Sequence, residues 1–165
     1  MDLYVAIFQG IIIASTPLVL AAIGELIVEK SGVLNLGVEG MMIIGAVASF
    51  IVTHETGSHL MGILAAIIAS GLIAVIFGIL TQYLLSNQVA TGLALTLFGL
   101  GLASLIGQSY SGISLKAFPI LEVSILSDIP IIGGMLFSFD YLVYLSLLIV
   151  VATYLFLKKT KAGLV

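Results

Sequence analysis

Polar side chains gather in two short stretches of a chain that is otherwise oily. Asn35 and Glu39 lie in SGVLNLGVEG, Ser31 to Gly40, and Asn87, Gln88 and Thr91 lie in SNQVATGLALT, with Thr96 at its end. If the first stretch is helical, a spacing of four puts Asn35 and Glu39 on one face. Gly32, Gly37 and Gly40 would support that helix poorly. A broken segment is tolerated at membrane depth only where it is buried in protein or lines a wet cavity. Transporters place such pieces at substrate sites. The amides of Asn87 and Gln88 both donate and accept, which suits a neutral ligand with hydroxyls and ring nitrogens. Asn35, Glu39, Asn87, Gln88 and Thr91 are therefore the candidate lining of a solute pathway. A structural role stands beside that one. Asn87 also reads as a helix cap, and Asn35 and Glu39 could tie a broken helix to its neighbours.

Other chemistry is thin. Glu25 and Glu29 share a helix face with Lys30 close by, which reads as a solvated helix end or as buried acids. His54, Glu55 and His59 fit neither helical ligand spacing nor an HExxH motif, so no metal site is expected. No phosphate-binding GxxxxGK[ST] loop and no GxSxG nucleophile elbow occurs. No catalytic residue, cofactor or metal is expected. The chain has no cysteine, which excludes disulfides and thiol chemistry. Eight acids against five lysines, with no arginine, exclude a basic footprint for nucleic acid.

The elements that carry these residues follow from hydropathy. The 165 residues are 61% hydrophobic and only 8% charged, too little polar surface for a water-soluble globule. An integral membrane protein is implied, with an all-α fold: a polytopic transmembrane helix bundle. The N-terminal run lacks a positive n-region and is too long for a signal peptide, so it reads as a mature span. A hydrocarbon core of about 30 Å takes about 20 apolar residues in helix. Five spans result, at about 3–28, 41–53, 60–85, 89–107 and 141–157, with a broken segment near 31–40. The second is short unless it borrows residues from that segment. Pro17 frees a backbone carbonyl in the first and can kink it. Residues 108–140, interrupted by Pro119, Pro130, Gly133 and Gly134, read as an ordered external loop that could hold a short surface helix.

Three of the five lysines lie in LKKTKAGLV, just after the fifth span, which places the C-terminus in the cytoplasm. Counting back, the long loop is outside, Ser86 to Gln88 inside, His54 to His59 outside, Glu29 and Lys30 inside, and the N-terminus outside. Small residues recur along two spans, Ala66, Ser70, Ala74 and Gly78 on one and Gly99, Ala103 and Gly107 on another. Such ridges let membrane helices approach closely.

The order of several blocks carries a family resemblance. ELIVEKSGVLNLGVEGMMIIGAVASF, NQVATGLALTLFGLGLASLIG, FPILEVSILSDIPIIGGMLF and the closing TKAGL resemble the permease subunits of bacterial ABC importers for nucleosides and simple sugars. Ribose and branched-chain amino acid permeases are more distant relatives. The resemblance runs from Glu25 to the end and implies an α-helical permease domain in the bacterial cell membrane. It also implies a second, related permease, two ATPase subunits on the cytoplasmic side, and an external lipoprotein or periplasmic protein that delivers the solute. Such permeases continue past the Lys/Arg-Thr-x-x-Gly-Leu stretch into a cytoplasmic coupling segment. Residues 1–165 are therefore expected to be the N-terminal portion of a single permease domain. An ATP-independent carrier or channel built on Glu25 and Glu39, or a nonfunctional remnant, are the other readings.

Overall fold

A computed structural model describes residues 2–122 and 138–163. Among these, five helices are long and apolar enough to cross a membrane. They are α1 (Asp2–Lys30), α2 (Val38–Thr56), α3 (His59–Gly78), α4 (Gln88–Gly107) and α5 (Tyr141–Lys159). The described residues are all-α as expected, with one addition: β1 (Ile120–Glu122) and β2 (Ser138–Asp140) pair antiparallel over three residues. Pro130, Gly133 and Gly134, within the expected external loop, lie outside the described residues. The chain divides into two compact units, residues 1–26 with 117–165, and residues 27–116.

In the first unit, α1 runs through Pro17. The hydroxyls of Ser15 and Thr16 both donate to the Ile12 carbonyl at 2.9 Å, one turn back. The start of α5 is specified locally. Asp140 Oδ1 accepts from the N–H groups of Leu142 and Val143, at 2.9 and 3.1 Å, which satisfies two of the donors that a helix start leaves open. Phe139 and Val143 are buried beside it. At the other end of α5, Gly163 folds back on the carbonyl of Phe156, where a Cβ would collide.

The second unit holds the polar stretches. Helix α2 spans Val38–Thr56, longer at both ends than the 41–53 read from hydropathy. At its start it takes Val38, Glu39 and Gly40 from the glycine-rich stretch. At its end it takes His54, Glu55 and Thr56, expected in a loop, and stops where Gly57 turns left-handed at φ 68° and donates to the Thr53 carbonyl. Only a residue without Cβ takes that conformation at no cost. Helix α3 folds back along α2: a Cβ on Gly62 would collide with the Thr53 hydroxyl, and one on Gly45 would lie 3.4 Å from the Ala66 carbonyl and 3.5 Å from Ser70 Cβ. The first half of the α3 ridge, Ala66 and Ser70, is thus a packing surface. Gly78, in the second half, has nothing within 4 Å. Past Gly78 the chain widens into a π-turn, Ile79–Tyr83, with Thr81 buried and its hydroxyl on the Phe77 carbonyl at 2.8 Å. Met41, Ile73, Phe77 and Leu95 form the buried core of this unit, with Val33 and Ile44 against it.

Candidate functional site

The break between α1 and α2 is built from backbone hydrogen bonds. At the end of α1, Gly32 at φ 84° lets its N–H reach the Glu29 carbonyl (2.9 Å) while the Val33 N–H reaches Val28 (3.3 Å). This is a Schellman close, which satisfies carbonyls that a helix end would leave open. The Ser31 hydroxyl adds a bond to Val28 at 2.6 Å. Residues 33–37 then run without helix to Val38. The N–H and C=O groups of such a stretch need partners inside a membrane.

Those partners come from α4, more than fifty residues on. Gln88 Oε1 accepts from the Leu34 N–H at 2.8 Å. The Thr96 hydroxyl donates to the Leu36 carbonyl at 2.9 Å. Asn35 Oδ1 accepts from the Gly37 N–H at 2.9 Å, a local Asx turn, and its Nδ2 points at Met41 Sδ, 3.6 Å away. The fit is close because glycine meets backbone. A Cβ on Gly92 would sit 2.9 Å from the amide nitrogens of Leu36 and Gly37, and one on Gly40 would sit 2.6 Å from the Leu95 carbonyl. One on Gly99 would sit 2.7 Å from Gly40 Cα. Real Cβ atoms do not come so near.

The five candidate residues do not converge on one cavity. Asn35 is buried and lies outside any helix, so it does not share a helical face with Glu39 as its spacing suggested. The Asx turn takes the place of the helical turn. Asn87 is exposed and caps α4, its Oδ1 accepting from the Ala90 N–H at 3.0 Å. Gln88 is half-buried and holds the loop, and Thr91 is half-buried one turn into α4. Glu39 is exposed in the first turn of α2, where the helix dipole favours an anion.

Thr96 belongs with the loop-holding residues and was missing from the pathway set. The signal was present. Gly92, Thr96, Gly99, Ala103 and Gly107 follow helical spacing, so the α4 ridge begins two turns earlier than Gly99 and carries a hydroxyl.

At the far ends of α2 and α4 a second polar group forms. The Tyr110 hydroxyl donates to Glu55 Oε1 at 3.1 Å, and His54 Nδ1 lies 3.3 Å from the same oxygen. The Tyr110 ring stands edge-on to His54 and Phe50, with centroids 5.6 and 6.4 Å apart. Among the described residues no group of three His, Cys, Asp or Glu side chains could hold a metal. Between this end and the glycine contacts lies a crevice of about 250 Å³, lined by apolar residues including Ile44, Ala48, Ile51, Ala69, Ala103 and Ile106.

Comparison with known proteins sets these features in context. The family described as branched-chain amino acid transport system / permease component matches residues 7–165. "Putative glucose ABC transporter permease protein TsgC13" of Haloferax volcanii is 40% identical over 155 residues, covering 92% of this chain and 47% of that protein. The guanosine ABC transporter permease protein NupQ of Bacillus subtilis is 30% identical over 172 residues, covering 96% and 53%. The nucleoside ABC transporter permease protein NupC of Lactococcus lactis is 27% identical over 169 residues, again covering 96% and 53%. The chain spans about half the length of the curated relatives it matches. No solved structure matches it.

Proposed function

Because the chain belongs to the permease-component family of branched-chain amino acid transport systems, we propose that it is part of a transmembrane permease subunit of an ATP-driven importer. It contributes to the translocation pathway for a nucleoside, a simple sugar or a similar small polar solute. The observation that carries this reading is the family match over nearly the whole chain, with glucose, guanosine and nucleoside permeases among the relatives. Five apolar helices fit a multi-pass membrane protein, and the family is one of permeases rather than catalysts. ATP hydrolysis is assigned to separate ATPase chains on the cytoplasmic side, solute delivery to an external binding protein, and the other half of the pathway to a second, related permease. The lysines after α5 favour a cytoplasmic C-terminus and an external N-terminus.

Within this reading the polar residues divide by task. Asn35, Gln88 and Asn87 hold the loop and the start of α4, and so shape the pathway through backbone they position. Glu39 and Thr91 are the side chains left to line it. An exposed carboxylate in the first turn of a membrane helix is costly unless it meets water or a polar partner, which supports a wet pathway beside Glu39. The test is Glu39→Gln in the full-length complex. Uptake should fall while co-purification with the ATPase is unchanged, and normal uptake would remove Glu39 from the pathway.

A further inference from the structure

Helices α2 and α4 run side by side from the same end. Gly37 lies beside Gly92, Gly40 beside Thr96 and Gly99, and farther along the Val47 methyls approach within 3.8 Å of a Cβ built on Gly107. At the first two points backbone meets backbone. At the third a side chain stands between, so the helices are held less closely. The apolar crevice occupies this looser stretch. Beyond Ile106, the last α4 residue on its wall, comes Tyr110, in the 3-10 turn Gln108–Tyr110 that follows α4. Tyr110 reaches across to α2 through its hydroxyl on Glu55 and its ring edge on His54 and Phe50.

We propose that Tyr110 is a positioning residue that latches α2 to α4 beyond the far end of the crevice, while the Gly40–Gly99 contact serves as a fixed pivot. The two ends differ in what separation requires. At the pivot, close-packed backbones have no side chain to rearrange. At the latch, one exposed hydrogen bond and two ring contacts break and re-form without exposing a buried polar group. Parting of α2 from α4 therefore starts at Tyr110 and stops at Gly40. The crevice between them widens only when the Tyr110–Glu55 bond is broken. This holds for the helix pair itself and does not depend on the transport reading.

The chain has no cysteine, so paired spin labels can be placed without background. An outer pair at Thr56→Cys on α2 and Leu105→Cys on α4 reports the latch end, and an inner pair at Leu36→Cys, just before α2, and Leu93→Cys on α4 reports the pivot end; all four positions are exposed. The measurement is the inter-label distance distribution of the full chain in lipid nanodiscs. Tyr110→Phe should lengthen and broaden the outer distribution, and Tyr110→Ala should do so further. Glu55→Ala should match Tyr110→Phe, and Glu55→Gln, which keeps an acceptor, should restore the original distribution. The inner distribution should stay put in every variant. An outer distribution that Tyr110→Phe and Glu55→Ala leave unchanged overturns the latch. Equal broadening of both pairs overturns the pivot.

Discussion

The hydroxyl of Thr96, in the middle of α4, donates to the carbonyl of Leu36, sixty residues earlier, at 2.9 Å. A membrane helix thereby supplies the partner that a non-helical stretch needs. Thr96→Val keeps the shape and removes the donor, leaving that carbonyl unpaired. The expected cost is about 1–3 kcal/mol, read as a lower unfolding midpoint in detergent, with Thr96→Ser close to the parent. Equal stability of the valine variant would show that Leu36 finds another partner.

Gly40 and Gly99 are where α2 and α4 touch through backbone alone. Overpacking at such a contact costs about 1–3 kcal/mol, so Gly40→Ala and Gly99→Ala should each lower the yield of folded chain. Gly101→Ala, where nothing lies within 4 Å, should be silent. Thermal stability of the three variants side by side checks this, and a silent Gly99→Ala would contradict the geometry.

Gln88 separates a loop-holding role from a solute-contacting one. Its Oε1 accepts from the Leu34 N–H, and Gln88→Glu keeps that acceptor while Gln88→Leu does not. If the role is to hold the loop, the leucine variant loses stability and its uptake falls alike for every solute tested, whereas the glutamate variant folds normally. A change in apparent affinity for one solute, with stability intact, would instead place Gln88 against the solute.

Asn87 caps α4 through the Ala90 N–H. Replacing a cap of this kind by alanine costs about 0.5–2 kcal/mol. Asn87→Ala should therefore lower the unfolding midpoint and Asn87→Asp or Asn87→Ser should largely preserve it. A midpoint unmoved by the alanine variant would return Asn87 to the pathway.

Much of the layout was legible from hydropathy, because the length of a membrane helix is set by the bilayer and not by its partners. The α4 ridge was legible too, as spacing alone puts Gly99, Ala103 and Gly107 on one side. What could not be read was the loop's pairing. The partners of Leu34 and Leu36 lie 54 and 60 residues away, and no local pattern marks such a contact. For Asn35 the local pattern misled. Spacing of four from Glu39 suggested a shared helical face, but an asparagine two residues before a glycine also makes an Asx turn, and that turn formed. The boundaries of α2 shifted for a similar reason: Gly37 and Gly57 set its ends, whereas hydropathy weighted the polar residues just inside them.

The stretch from Gly32 to Gly40 is bonded to α1 at one end and to α4 along its length, and α2 begins directly from it. It therefore acts as a ruler. Insertion of one residue in the first turn of α2, between Val38 and Gly40, would rotate the rest of α2 by about 100° relative to the loop. Gly40 would turn away from Gly99, and Gly45 away from Ser70. Conservative exchanges of leucine or valine along the stretch leave that register intact. Its length in residues is thus the stricter requirement, and single-residue insertions and deletions should be excluded there even where substitutions are tolerated.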